Sequence, residues 1–144
     1  MISVAMPAYN SERYVGEAIE SILTQTYSDF EFIVVDDGST DGTLNVIESY
    51  AKRDGRIRVL RQANCGPSRA RNRAVEESCC DWIAFVDHDD IALPQRLERQ
   101  VEASRAKPQV VIWGTDVCEI GPAGQVLTMI QVGLTCPHFM CQFE

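Results

Sequence analysis

Short apolar runs alternate with longer amphipathic stretches along most of the chain. Ile2–Met6 reads as a first strand, ended by Pro7. Phe32–Val35 reads as a second, apolar on both faces as in a strand buried inside a parallel sheet. Ile57–Leu60, Trp82–Val86 and Val110–Trp113 supply three more. Between them, Ser11–Thr24 carries Val15, Ala18, Ile19, Ile22 and Leu23 at helical spacing, with Ser11 as the expected N-cap. Thr43–Arg53 follows with Leu44, Ile47 and Ala51 on one face, and Ser68–Ser78 is opened by Gly66-Pro67. A further helix runs from Pro94, well suited to a first turn, to about Lys107, with Leu97 and Val101 inward. Thr115–Ile120 and Gln125–Val132 flank Gly121-Pro122-Ala123-Gly124 and predict a hairpin.

The alternation predicts an α/β fold, a Rossmann-like and mainly parallel sheet with helices on both faces. Ligands in such sheets bind beyond the carboxyl ends of the strands, near where the strand order reverses. The residues directly after each strand are therefore the ones to read for chemistry.

Composition narrows the picture. At 144 residues and 45% hydrophobic, the chain has the length of one domain and enough apolar residues for a core. No apolar run approaches the roughly 20 residues of a membrane-spanning helix. Thirteen basic against twenty-one acidic residues leave a net charge of -8, which argues against a general nucleic-acid binder. A phosphorylated ligand would then need a divalent cation to mediate. The start, Met1-Ile2-Ser3-Val4-Ala5-Met6, lacks a basic segment followed by a long apolar one, so a reducing, cytoplasmic location is expected. The six cysteines show no CxxC spacing; Cys79 and Cys80 are adjacent, and Cys136 and Cys141 have only His138 near them. Buried or incidental thiols are expected rather than a zinc site.

Four strand ends carry the candidate chemistry. Pro7-Ala8-Tyr9-Asn10 offers a ring in Tyr9 for stacking and an amide in Asn10 for a base edge, or simply a turn and a cap. Asp36-Asp37-Gly38 places two carboxylates at a buried strand's mouth, costly unless they bond a ligand, a cation or backbone N–H groups. Gly38 would let the chain turn sharply or another group come close, and Asp41 or Ser39 could cap the next helix. Asn64 to Arg73 is the dense basic segment, in which Arg69 and Arg73 share a helix face and Arg71 points elsewhere. It suits a pyrophosphate at a helix N-terminus, or a solvated helix face. In Asp87-His88-Asp89-Asp90, an extended segment would aim Asp87 and Asp89 the same way and turn His88 aside. Paired carboxylates make a hard oxygen site for Mg²⁺ or Mn²⁺ rather than zinc.

Together these segments resemble the family 2 glycosyltransferases. The P-x-Y-N turn, Gln25-Thr26-Tyr27 to Glu31, Val34 to Thr43, the N-x-G-x-S-x-A-R-N set (Asn64, Gly66, Ser68, Ala70, Arg71, Asn72) and Trp82 to Asp90 match its motifs in order. The resemblance implies a GT-A fold and a nucleotide-sugar donor, most often a UDP-sugar. It implies that Pro7, Ala8, Tyr9, Asn10 and Asp37 (or Asp36) hold the nucleobase, with Arg71, Asp87 and His88 at the nucleotide. Asp89, with Asp87, would ligate Mn²⁺ or Mg²⁺. It also implies an inverting displacement onto a hydroxyl of a glycan, a lipid-linked or another acceptor, at a site peripheral to the membrane where the acceptor is membrane-bound.

The family's general base lies in an acceptor half beyond the hairpin. Glu119 and Glu144 are the only carboxylates after Asp116, and neither sits in a matching motif. The expectation is thus a single, truncated domain: residues 1–110 as the nucleotide-sugar-binding half, 111–144 as hairpin and start of the acceptor half, and a base outside the chain. The competing expectation is a non-catalytic nucleotide-sugar-binding or partner-binding module, self-associating through Val132, Leu134, Phe139 and Phe143. A response-regulator receiver would want its acidic pair after the first strand, and a dinucleotide-binding oxidoreductase would want G-x-G-x-x-G there; Met6-Pro7-Ala8-Tyr9 offers neither.

Overall fold

A computed structural model describes residues 1–121 and 125–130, and the backbone of 140–142. Strands β1 (Ile2–Ala8), β2 (Phe30–Asp36), β3 (Ile57–Arg61) and β4 (Trp82–Phe85) pair in parallel in the order β3-β2-β1-β4. Helices α1 (Val15–Leu23), α2 (Thr43–Ala51) and α3 (Pro67–Glu76) connect them, and α4 (Arg96–Ala106) follows β4. The chain steps outward from β1 to β3, then returns to place β4 on the other side of β1. The strand order thus reverses beside β1, where a ligand cleft is expected in this kind of sheet. The expected α/β architecture is the observed one.

β1 is buried along all seven residues, because both faces of the sheet are covered. Val4, Met6, Phe32, Val34 and Ala84 pack with Val15, Ile19 and Ile22 of α1, Ile47 of α2, and Leu97 and Val101 of α4. The alternate residues Ala5, Ile33, Val35 and Ile83 pack against Ala70 and Ala74 of α3. The small residues of α3 let that otherwise arginine-rich helix lie close to the sheet. Each fully buried Ile or Val side chain contributes roughly 1.5–3 kcal/mol.

Some boundaries differ from expectation. Ser11 does not cap α1 with its side chain: its N–H donates to Thr43 Oγ1 at 2.7 Å, and its hydroxyl is buried with no partner among the described residues. A turn over residues 12–14 precedes the helix. Neither Asp41 nor Ser39 is the N-cap of α2, which is Gly42 without a side-chain cap; Asp41, one residue earlier, accepts from the Thr43 N–H at 3.0 Å. The fifth strand shortens to β5 (Ile112–Trp113). The hairpin forms from β6 (Val117–Ile120) and β7 (Val126–Ile130), with a register shift at Glu119/Ile120. The strand missing from the sequence reading is β8 (Met140–Gln142), which runs antiparallel between β4 and β5. Residues 122–124, the tail positions Val132, Leu134, Phe139 and Phe143, and Cys136, His138 and Glu144 lie outside the described residues.

At the amino end of the sheet, Glu31 accepts from Ser3 Oγ at 2.6 Å, the Cys79 N–H at 2.7 Å and Arg58 at 3.0 Å. Burial works to raise this carboxyl, but those donors outweigh it and bring it from 4.5 to about 2. Since the folded carboxyl titrates below the unfolded one, its contribution is complete above pH 4.5 and disappears as the pH falls through about 2. The stability difference between wild type and Glu31→Gln is expected to be flat near neutrality and to shrink as the pH drops from 4.5 towards 2. Urea denaturation at a series of pH values measures it, and a difference that persists undiminished at the acid end would contradict this account.

Candidate functional site

A cleft of about 400 Å³ opens at the carboxyl ends of β1, β2 and β4. Pro7, Ala8 and Tyr9 from the β1 end, Asp37 after β2, and Asp87, His88 and Asp89 after β4 line it, with Arg71 from α3. Asn64, Gly66 and Pro67 close the side beneath α3. Eight of the ten residues singled out in the sequence therefore share one cavity. Asn10 and Asp36 are not among its lining residues.

Asn10 has a different task. It adopts a left-handed backbone (φ 46°), and its Oδ1 accepts from the Thr40 N–H at 2.8 Å while its own N–H donates to Ser39 Oγ at 3.1 Å. It ties the loop after β1 to the loop after β2. Asp36, the last residue of β2 and only 1% exposed, stays out of the cleft. Its Oδ1 accepts from the Ser39 N–H at 3.3 Å and its Oδ2 lies 4.0 Å from Arg61 Nε.

Asp37 faces the cleft and is held by three donors. Oδ1 accepts from Gln62 Nε2 at 2.7 Å and the Cys65 N–H at 2.9 Å, and Oδ2 from the Gly66 N–H at 2.8 Å. Burial alone would raise the Asp37 carboxyl, but these bonds together hold it below the usual carboxylate range. The N-terminus of α3, expected as a pyrophosphate seat, thus already carries the carboxylate of Asp37. That places the anion favoured by the helix dipole on the protein itself.

The acidic motif is a turn, not an extended segment: the Asp90 N–H donates to the Asp87 carbonyl at 3.2 Å. Alternation therefore does not sort its side chains, and Asp87, His88 and Asp89 all reach the cleft. Asp87 pairs with the Arg71 guanidinium. Asp89 is 58% exposed, with His88 Nδ1 at 3.9 Å from its Oδ1. That nitrogen is buried and unbonded among the described residues. Two hard carboxylates beside an arginine that can meet a phosphate fit the one-or-two-carboxylate habit of Mg²⁺ and Mn²⁺, and the cluster contains no thiol. Of the three arginines of α3, Arg71 meets Asp87, whereas Arg73 donates to the Arg61 carbonyl at 2.5 Å.

Two contributors escaped the sequence reading. Arg96, the first residue of α4, donates to the Phe85 carbonyl at 2.7 Å, at the foot of the acidic turn. Burial pulls its guanidinium below the ordinary value, while the carboxylates of Asp90 and Asp87 oppose that. It remains charged and offsets the acidic turn from beneath. A lone Arg two residues after Pro94 gives little signal of this in sequence. The second is Gln25, 5% exposed, from the Gln25-Thr26-Tyr27 motif. Its Nε2 donates to the Leu93 carbonyl at 2.8 Å, and its Oε1 accepts the Leu97 N–H at 3.0 Å. Thr26 N–H and Oγ1 both reach the Pro94 carbonyl. The motif thus clamps the segment joining the acidic turn to α4. Gln25→Ala is expected to cost about 2 kcal/mol, because it strands buried backbone groups. Hydrogen exchange at residues 92–97 should quicken beyond the rest of the chain; a uniform change would argue against a local clamp.

The sequence profile of Glycosyl transferase family 2 matches residues 3–142. The chain is 44% identical over 108 residues to an uncharacterized glycosyltransferase, EpsJ, of Bacillus subtilis, covering 73% of this chain and 31% of that protein. It is 40% identical over 103 residues to the same organism's putative teichuronic acid biosynthesis glycosyltransferase TuaG, covering 71% and 41%. Among solved structures, S. aureus TarS 1-349 in complex with UDP superposes with a TM-score of 0.68 at 34% identity, covering 73% of this chain and 32% of that one. The mannosyltransferase PcManGT of Pyrobaculum calidifontis, in complex with GDP-Man and Mn²⁺, gives 0.72 at 26% identity, covering 85% and 36%. The chain spans about a third of the length of these relatives. Its fold is of the GT-A type, and the chain belongs to glycosyl transferase family 2.

Proposed function

We propose that this chain is the donor-binding part of an inverting glycosyltransferase. It takes a sugar from a nucleoside-diphosphate sugar, in this reading a UDP-sugar, to an acceptor hydroxyl with the help of Mn²⁺ or Mg²⁺. The observation that carries the reading is the single cleft joining Tyr9, Asp37 and Arg71 to Asp87 and Asp89 at the reversal of strand order. The UDP complex of TarS and the GDP-Man and Mn²⁺ complex of PcManGT support the donor class and the cation.

In this reading the half-exposed ring of Tyr9 stacks on the base, with Pro7 and Ala8 as the apolar floor. Asp37 accepts a base N–H; its Oδ2 has one bond from Gly66 and keeps capacity for a second. Arg71, steadied by Asp87, faces the diphosphate, and His88 lines the nucleotide side. Asp89 and Asp87 would hold the divalent cation, which when bound supplies Lewis-acid stabilisation of charge on the departing diphosphate. Arg96 keeps the acidic turn from repelling itself while the site is empty of cations.

Residues 1–110 form the donor half, and the hairpin begins the acceptor half, from which the general base would come. The name of TuaG suits an acceptor in cell-surface polysaccharide synthesis, glycan or lipid-linked. Among the described residues no helix is long and apolar enough to cross a membrane. The four described cysteines are free thiols, which suits a reducing, cytoplasmic setting.

Calorimetric titration of UDP in the presence of Mn²⁺, repeated with EDTA, tests the reading. Saturable binding that EDTA removes is the expected result. Folded protein that takes up no UDP under either condition would overturn it and leave a non-catalytic, partner-binding module as the better account.

A further inference from the structure

At the end of the sheet opposite the cleft, three donor groups crowd together, two of them cysteines outside the matched motifs. Cys79 and Cys80 sit between α3 and β4, and their sulfurs are 3.9 Å apart. Glu31, near the start of β2, brings Oε1 to 4.0 Å from Cys80 Sγ. Donor atoms of all three lie within 4.8 Å of one another. Of the expected buried or incidental thiols, these two are not of the buried kind: Cys79 is exposed and Cys80 half-buried.

We propose that Cys79, Cys80 and Glu31 form a binding site for a thiophilic divalent cation, Zn²⁺ by preference, separate from the hard-cation site of the cleft. Zinc–sulfur bonds of about 2.3 Å at tetrahedral angles hold two sulfurs roughly 3.8 Å apart. The observed 3.9 Å therefore needs almost no closure. Two thiolates and a carboxylate are an accepted zinc donor set, leaving a fourth position for water. The two thiolates favour Zn²⁺ over Mg²⁺, which keeps to oxygen donors.

The carboxylate is also oriented as a metal ligand usually is. Arg58 holds Oε2 at 3.0 Å, while Ser3 Oγ and the Cys79 N–H hold Oε1. Such outer partners fix a ligating carboxylate and are part of a working site. The Ser3 hydroxyl can rotate to release a lone pair. Without a cation, hydrogen bonding to Glu31, then burial and Cys80, push the Cys79 thiol up to about 11. A bound cation would relieve that and displace the thiol protons.

The test is titration of the fully reduced 144-residue chain with Co²⁺, a spectroscopic stand-in for zinc. The expected result is a thiolate-to-cobalt charge-transfer band saturating at one equivalent and bleached by Zn²⁺. Cys79→Ser and Cys80→Ser should each abolish the band, while a Cys65→Ser/Cys118→Ser pair and Asp89→Asn keep it. Zn²⁺ should also raise the melting temperature of wild type but not of the Cys79→Ser/Cys80→Ser variant, whose fold far-UV dichroism verifies. No charge-transfer band in excess Co²⁺, or a band that survives loss of both thiols, overturns the proposal. The outcome is independent of UDP binding, so failure at either site is readable without the other.

Discussion

Replacing Asp89 by Asn is expected to weaken Mn²⁺-dependent UDP binding by about 100-fold or more while leaving the fold intact. Substitution of groups that merely orient a metal ligand already costs about 10–100-fold, and Asp89 is proposed as a ligand itself. Stability should hardly change. Asp89 is 58% exposed, and His88 Nδ1 stands 3.9 Å from its Oδ1, too far for a hydrogen bond. The cleft's own charges explain why the cation matters so much. Asp37, Asp87 and Asp89 line it against the single cleft-lining arginine, Arg71, already paired with Asp87. A diphosphate entering without a cation would face carboxylates on two sides. Asp89→Asn removes one negative charge, so metal-free binding of UDP should hold steady or rise slightly as Mn²⁺-dependent binding collapses. Calorimetry with and without EDTA separates the two quantities. Equal Mn²⁺-dependent affinity in wild type and variant would remove Asp89 from the cation site.

The cleft was legible because its makers are local. Four apolar strand runs and the segments directly behind them needed only period, burial and turn chemistry to be placed together. The failures have physical causes. Two-residue alternation predicted that Asp87 and Asp89 diverge from His88, but the Asp90 N–H bonds back to Asp87 and the chain turns instead. β2 ends at Asp36, and of the pair the sequence left open only Asp37, directly beyond the strand, lines the cleft. β8 could not be read because Met140–Gln142 is three residues long and its partners lie more than twenty-five residues away. Gln25 acts through a contact that spans the chain, reaching sixty-eight residues ahead to Leu93, and Arg96 reaches back eleven residues to the Phe85 carbonyl. A long polar side chain at a helix end carries no mark of such a partner.

Gly38→Ala is expected to destabilise the chain by about 3 kcal/mol, lowering the melting temperature by about 10 °C. Two costs combine there. The backbone at φ +74° lies in the left-handed region, where a side chain costs about 1 kcal/mol or more. An added Cβ would also stand 2.7 Å from the Asn64 nitrogen and 3.2 Å from the Gln62 carbonyl oxygen, both backbone atoms. No side chain can swing aside to make room, so the loop after β3 must retreat. That loop carries Gln62, Cys65 and Gly66, the three donors that fix Asp37. Its retreat strands a buried carboxylate and widens the wall of the cleft. Two other glycines separate the terms. Gly66 has φ +90° but nothing within 4 Å of a Cβ, so Gly66→Ala reports backbone strain in open space. Gly55 also has open space, without a positive φ, and Gly55→Ala should stay within about 0.5 kcal/mol of wild type. Thermal melts should rank Gly38→Ala lowest, Gly66→Ala between, and Gly55→Ala beside wild type. If Gly38→Ala were no worse than Gly66→Ala, the close approach of the two loops would not be what demands glycine. Asp37 would then owe its position to its own hydrogen bonds alone.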